Sequence, residues 1–407
     1  MLSVEEATDR LLQLAQSVVE VDWIMLEDAM GRILAADVRT PIQLPPFDNA
    51  AMDGYAIVAG PRRRLRIIGQ SRPGKPFRSK LEPDEAVRIM TGAKIPLNAN
   101  TVVIQEQVAR EGDVILADES ADSSVGRNIR RTGEDFGIGS ILARRGDRIS
   151  PIVGGTLSAC GASEFSVFRR VRVGVFSTGD ELQDPHLPLE TGQIYDSNRF
   201  TLFHMADNPA VSILNLGRLS DDVERVKQEM RAACRYCDVI LTSGGVSVGD
   251  SDHVRDAIKQ MGSLDLWRVA LKPGKPLAVG SIDDTLVIGV PGNPVSAIVI
   301  FLLFVAPAIV KGCGATGRPR LRLRAQLADE LTHTGSRREF QRGRLSVNDS
   351  GALMVRPASR QGSNMLSSFQ HSNCLIDVPG TATLLRANET VWTWPLDRTR
   401  DRLFEQV

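Results

Sequence analysis

Apolar and polar positions divide this chain into stretches of unlike period. From 171 onward, short apolar runs alternate with amphipathic ones. The strand-like runs are VRVGVFSTG (171–179), VSILNLGRL (211–219), DVILTSGG (238–245), LDLWRVAL (264–271) and TLVIGVPG (285–292). Between them lie helical candidates: one near Asn198–Ala206, DDVERVKQEMRAACRYC (221–237), SDHVRDAIKQMG (251–262), and an apolar helix after Asn293. Strands and helices alternating at this spacing predict a parallel, doubly wound α/β domain over 171–317. The apolar run 294–310 has barely the length of a membrane span, is interrupted by Ser296 and Pro307, and follows a strand and a turn; it reads as a buried helix packed on the sheet.

The flanks have a shorter period. Residues 1–45 read as a helix striped by Leu11, Leu12, Leu14, Ala15, Val18 and Val19, then extended structure broken by Pro41, Pro45 and Pro46. Residues 46–136 carry short β signals (GYAIVAG, LRIIG, AVRIM, NTVVIQEQV, DVILA) separated by turn residues, which predicts an inserted small β domain. A helical segment in 137–170 is expected to return and pack on the N-terminal helix. Residues 318–407 revert to short strands (LRLRAQL, RLSV, LMVRP, CLIDV, VWTWP), as in a small barrel or sandwich.

Composition narrows the classes. The 407 residues carry 49 basic and 49 acidic side chains, so binding of nucleic acid or anionic membrane by bulk charge is disfavoured, and any anion must be held by local arrangement. Five scattered Cys suit a reducing cytoplasm rather than a disulfide framework, and Cys234-x-x-Cys237 has no second pair to make a zinc site. The acidic, amphipathic N-terminus does not read as a signal peptide.

Open α/β sheets bind ligands at the carboxyl ends of their strands. Here those ends carry Ser177–Leu182, Thr242–Asp252, Lys272-Pro273-Gly274-Lys275-Pro276, and Pro291–Ser296. Glycines let backbone amides approach a ligand, hydroxyls donate to phosphate-like oxygens, and a helix starting at Pro294 offers its N-terminus. Lys272 and Lys275 add two point charges. Glu181, Asp250 and Asp252 are carboxylates beside this anion site, the donor set Mg²⁺ takes together with phosphate oxygens. A second polar cluster, 48–56 with 88–93 and 127–135, reads either as capped turns or as loops serving this site from another domain or another subunit.

The motifs PPFDNAAMDGYA, RIMTGAKIP, GRNIRRTGEDF, FSTGDEL, GQIYDSNR, TSGGVSVGDSD, LKPGKPLAVG, GVPGNPVSA and QGSNMLSS, in this order, resemble the molybdopterin molybdenumtransferases, the MoeA and gephyrin E-domain family, over nearly the whole chain. The resemblance implies an elongated multidomain chain. Domain I is 1–45 with 137–170, an inserted β-rich domain II is 46–136, a molybdopterin adenylyltransferase-like α/β domain III is 171–317, and a C-terminal β-barrel domain IV is 318–407. It further implies a cytoplasmic homodimer whose site combines the α/β domain of one subunit with the first two domains of the other. The implied reaction takes adenylylated molybdopterin and molybdate as substrates and, with Mg²⁺, releases AMP and molybdenum cofactor.

By the same resemblance Lys272, Lys275 and Ser296, with Arg337 and Ser363 from the barrel, face molybdate. Glu181, Asp252 and Asp250 face Mg²⁺ and pyrophosphate. Asp53, Thr91 and Asp135 reach across from the partner, and Gly244, Gly245, Ser247 and Asp221 or Asp222 lie along the nucleotide. Departures from the family pattern fall at Ala50, Asn364 and Phe369, and at 98–100. The resemblance leaves room for docking of a separate molybdopterin adenylyltransferase and of molybdoenzyme apoproteins. Two other readings of the same fold are a non-catalytic anchoring dimer and an insertase preferring tungstate.

Overall fold

A computed structural model describes residues 1–220, 222–245, 253–317 and 321–396. Its centre is a six-stranded sheet in the order Val211–Leu219, Val171–Thr178, Val239–Ser243, Thr285–Val290, Pro276–Ile282, Ser263–Arg268. Both faces are covered, which is why these strands read as unbroken apolar runs. Val239 and Leu241 point into the core that holds the apolar helix, while Ile240 between them points into a second core with Val226, Met230 and Val254.

The first four strands are parallel, as expected, but the sheet is mixed. Pro276–Ile282, whose first residue was read as the end of a loop and the rest assigned to no element, is a strand antiparallel to both of its neighbours. Ser263–Arg268 therefore runs in the same direction as the parallel four. Its carboxyl end delivers the turn 269–275 to the rim where the parallel strands end, and the Asp283-Asp284 hairpin closes at the opposite edge.

The apolar helix runs Pro294–Ile300, widens to a π turn over Phe301–Val305 and continues Ala306–Gly312. Pro307 has no N–H to give and would crowd the preceding turn of an α-helix, so the wider turn just before it relieves both faults. Although long and apolar enough for a membrane span, the helix has 89% of that apolar window buried in the protein.

The N-terminal helix Val4–Leu14 is capped reciprocally by Ser3 and Glu6. It packs through Val4, Ala7 and Leu11 into the core of the apolar helix. Leu14 and Val19, expected in the buried stripe, are exposed because the helix ends at Leu14 and the chain continues extended. In the segment 137–170 the helix Pro151–Ala159 contributes Leu157 to a separate core, and only the end of the segment, Phe168, joins the core of the N-terminal helix. The segment returns by strand pairing, Glu164–Phe168 antiparallel to Val21–Met25, around a small core of Leu34, Ile149, Leu157, Phe165 and Val167.

Two further β units complete the chain. Six strands between Gly54 and Ala117 form one sheet with its own apolar clusters. In the C-terminal region Arg338–Val347, Leu353–Pro357, Leu323–Leu327, Thr390–Pro395 and Cys374–Val378 pair in sequence, and the last pairs back with the first, closing a five-stranded barrel. The molecule is thus a multidomain α/β plus β protein. Its barrel is stitched to the rim turn by parallel pairing of Leu271 with Arg338 and Lys272 with Glu339.

Candidate active site

At the carboxyl rim of the six-stranded sheet lies a cavity of about 590 Å³, lined by Thr178, Glu181, Tyr195, Asn198, Ser243, Asn293 and Pro294 among others. Three loops are tied together to form it. Asn198 Nδ2 donates to Ser243 Oγ at 2.8 Å and to the Gly292 carbonyl at 2.7 Å. The Thr178 hydroxyl donates to the Ser243 carbonyl, and Gly244 N–H donates to the Val290 carbonyl. Asn198 was assigned no role in the sequence, although GQIYDSNR contains it. Its signal is placement one residue into a helix whose cap, Asp196, is buried and accepts the Arg199 amide.

Gly244 and Gly245, expected along the nucleotide, have φ of +88° and +67°. A Cβ on Gly244 would lie 2.6 Å from the Thr178 hydroxyl oxygen. A side chain is excluded there, and the backbone of Gly244 passes directly against Thr178, a residue of the cavity wall. Glu181 lies on the cavity wall and is exposed. Asp221, Ser247, Asp250 and Asp252 lie outside the described residues. Asp222, the alternative to Asp221, caps the helix Val223–Cys234 by accepting the Arg225 amide. No group of three metal-ligating side chains occurs among the described residues. Two carboxylates line the cavity, Glu181 and the helix cap Asp196, and Mg²⁺ uses one or two carboxylates when phosphates and water supply its other ligands.

The cations stand on the adjoining turn and do not line this cavity. Lys275 is exposed and has no side-chain partner among the described residues, while its carbonyl accepts the Val269 amide. Lys272 Nζ lies 3.1 Å from Glu339 Oε1. Arg337 donates to the Leu271 carbonyl at 2.9 Å and so braces the turn. Ser296 is buried in the first turn of the helix. The Ser363 carbonyl accepts the Val295 amide at 3.1 Å, which brings the 361–368 loop to the same helix start, with Asn364 on the cavity wall.

That loop is held from below by Arg342. The guanidinium is fully buried and donates to Ser368 Oγ and the Gly362 carbonyl, while Gln361 accepts the Arg342 amide. Burial pulls the Arg342 pKa down to about 10, partly opposed by the charge of Glu339. Arg342, Glu339 and His333 were missed in the sequence because long-range strand pairing brings them here.

The second polar cluster is built separately. Asp53 Oδ1 accepts both the Thr91 amide at 2.7 Å and the Thr91 hydroxyl at 2.8 Å. These bonds hold its carboxyl below the usual range, the amide contributing most, with a further pull from the charge of Arg88. Asp48 treats Thr132 the same way and adds an ion pair to Arg131. Burial raises the Asp48 pKa, but the Thr132 and Arg131 bonds outweigh it. Asp135 is exposed, and its amide donates to the Leu44 carbonyl. None of Asp53, Thr91 and Asp135 lines the rim cavity of its own chain. Ala50, one of the departures from the family pattern, is fully buried with Ile89, Ala93 and Val102.

Family models match three segments. Residues 2–161 match the MoeA N-terminal region (domain I and II), 174–311 a probable molybdopterin binding domain, and 324–396 the MoeA C-terminal region (domain IV). A molybdopterin molybdenumtransferase of Haemophilus influenzae is 36% identical, covering 98% of this chain and 99% of that protein. One from Bacillus subtilis is 31% identical, covering 96% and 93%. A crystal structure of a molybdopterin biosynthesis MoeA protein from Pyrococcus horikoshii superposes with a TM-score of 0.82 at 29% identity, over 97% of this chain and all of that one.

Proposed function

The chain belongs to the molybdopterin molybdenumtransferase family, transferases of molybdenum cofactor biosynthesis, and from that premise we propose how its residues divide the reaction. The substrates are adenylylated molybdopterin and molybdate. Two dithiolene sulfurs replace one oxo oxygen of molybdate, which leaves with their protons as water. A second water cleaves the phosphoanhydride and releases AMP.

The nucleotide end lies along Gly244 and Gly245, whose bare backbone leaves room for phosphate oxygens. Ser247 and Asp221 extend that surface. Lys272 and Lys275, with Ser296, Arg337 and Ser363, hold the tetrahedral dianion, which needs fixed positive charge and hydroxyl donors. Mg²⁺, held by Glu181 with Asp252 and Asp250, would neutralise charge on the pyrophosphate as its anhydride breaks. Asp53, Thr91 and Asp135 enter from a second subunit of a cytoplasmic homodimer. The four-part division at 1–45 with 137–170, 46–136, 171–317 and 318–407 is the domain plan that would bring them there.

The observation that carries this reading is the convergence of strand ends on one polar cavity beside the turn of an exposed Lys275 that has no side-chain partner among the described residues. Purified protein given adenylylated molybdopterin, molybdate and Mg²⁺ is expected to release AMP. Lys275→Ala is expected to lose more than about a hundredfold of that activity, as when a fixed charge is removed from a transition-state contact, with its melting temperature unchanged. Absence of AMP from the wild-type protein contradicts the proposal.

A further inference from the structure

We propose that Glu339 and His333 set how much positive charge Lys272 offers to an oxyanion, and that they are positioning residues of the anion site. This inference rests on the reading of Lys272 as a cation facing molybdate. It stands on a buried chain of three side chains. Pairing of Leu271–Lys272 with Arg338–Glu339 lays Lys272 beside Glu339. The Glu339 side chain is 3% exposed. Its Oε1 meets Lys272 Nζ at 3.1 Å, and its Oε2 accepts His333 Nδ1–H at 2.6 Å. His333 is enclosed as well, and its Nε2 is buried with no hydrogen-bond partner among the described residues.

A carboxylate buried this deeply is tolerated only if charge or donors compensate it. Among the described residues, Lys272 and His333 are its two direct side-chain partners. Arg342 acts on it by charge alone, since its guanidinium donates to Ser368 and Gly362. Of the three linked side chains, Lys272, at 35% exposed, is the one that meets solvent. A negative charge at this distance cancels much of the field Lys272 presents outward, and the bond from His333 limits how strongly Glu339 claims the ammonium. Glu339 is thus the counterweight and His333 its adjustment.

The consequence is a pair of effects with opposite sign. Glu339→Gln keeps the shape and an acceptor for His333 but removes the charge, so affinity for a tetrahedral dianion rises about tenfold, or about 1.4 kcal/mol. His333→Leu removes the donor and leaves Glu339 to Lys272, so affinity falls severalfold. His333→Asn, whose amide can stand in for Nδ1–H, stays close to wild type. Simple damage to the barrel would move the first two in the same direction.

The experiment is calorimetric titration of molybdate, and of sulfate, into the full chain and its Glu339→Gln, His333→Leu, His333→Asn and Lys272→Ala variants. The expected result is tighter binding of both anions by Glu339→Gln and weaker binding by His333→Leu. If Lys272→Ala weakens molybdate binding while Glu339→Gln does not tighten it, this inference is overturned and the assignment of Lys272 survives. If Lys272→Ala changes nothing, the assignment itself fails and takes the inference with it. Should Glu339→Gln not fold, the two His333 variants decide, and equal affinities for them overturn the inference.

Discussion

The Thr91–Asp53 contact concentrates two donors on one carboxylate oxygen and leaves the other oxygen without a hydrogen-bond partner among the described residues. In the proposed reaction that free oxygen is the part of Asp53 that would meet the substrate. Both donors favour the ionised form, so Asp53 stays charged to lower pH than an ordinary aspartate. The sign for a variant follows. Thr91→Val loses the hydroxyl but keeps the amide, so the Asp53 pKa rises toward its usual value. The acid limb of the AMP-release profile is expected to move to higher pH, with the plateau retained. A pH–rate profile of Thr91→Val that superposes on wild type contradicts this role for the threonine.

At the scale of elements, the rim depends on loops whose backbone conformations admit few residues. Gly244 combines φ of +88° with a missing Cβ that would strike Thr178. Gly244→Ala is expected to cost roughly 1–3 kcal/mol of stability, read as a lowered urea midpoint, and to weaken nucleotide binding by moving the Thr178 loop away from the helix start that carries Asn198. The neighbouring turn is held by many short ties: the Leu2 amide to the Arg268 carbonyl, the Ala270 amide to the Leu2 carbonyl, Val269 to Lys275, and Arg337 to Leu271. Its two lysines therefore sit on a braced platform assembled from three parts of the chain.

These elements also mark where sequence reading succeeds. The parallel strands were legible because burial on both faces leaves continuous runs such as VRVGVFST, and the helices because caps and amphipathic spacing are local. Pro276–Ile282 was not, because it opens on the proline that closes the Lys-Pro-Gly-Lys-Pro turn, and only pairing on both sides makes it a strand. The N-terminal helix was visible but its partner was not, since nothing local tells Val4, Ala7 and Leu11 that they will meet the apolar helix. The same distinction holds in the site. Glycine and lysine loops at strand ends announce themselves, whereas Asn198, Arg342 and the Glu339–His333 pair acquire their places only when distant strands and loops meet.

For the whole molecule, the rim cavity and the Asp53 cluster belong to different sheets with separate cores. In the proposed dimer they would meet across two copies of the chain, each complete site drawing one part from each subunit. The most direct measurement mixes two inactive variants, Lys275→Ala and Asp53→Ala, by refolding or co-expression, and assays AMP release. A mixed dimer has one site with both lesions and one with neither. Since about half the dimers are mixed, activity is expected to return to about a quarter of wild type. If the mixture stays as inactive as its parents while mixed dimers are present, the two clusters act within one chain and the account is contradicted.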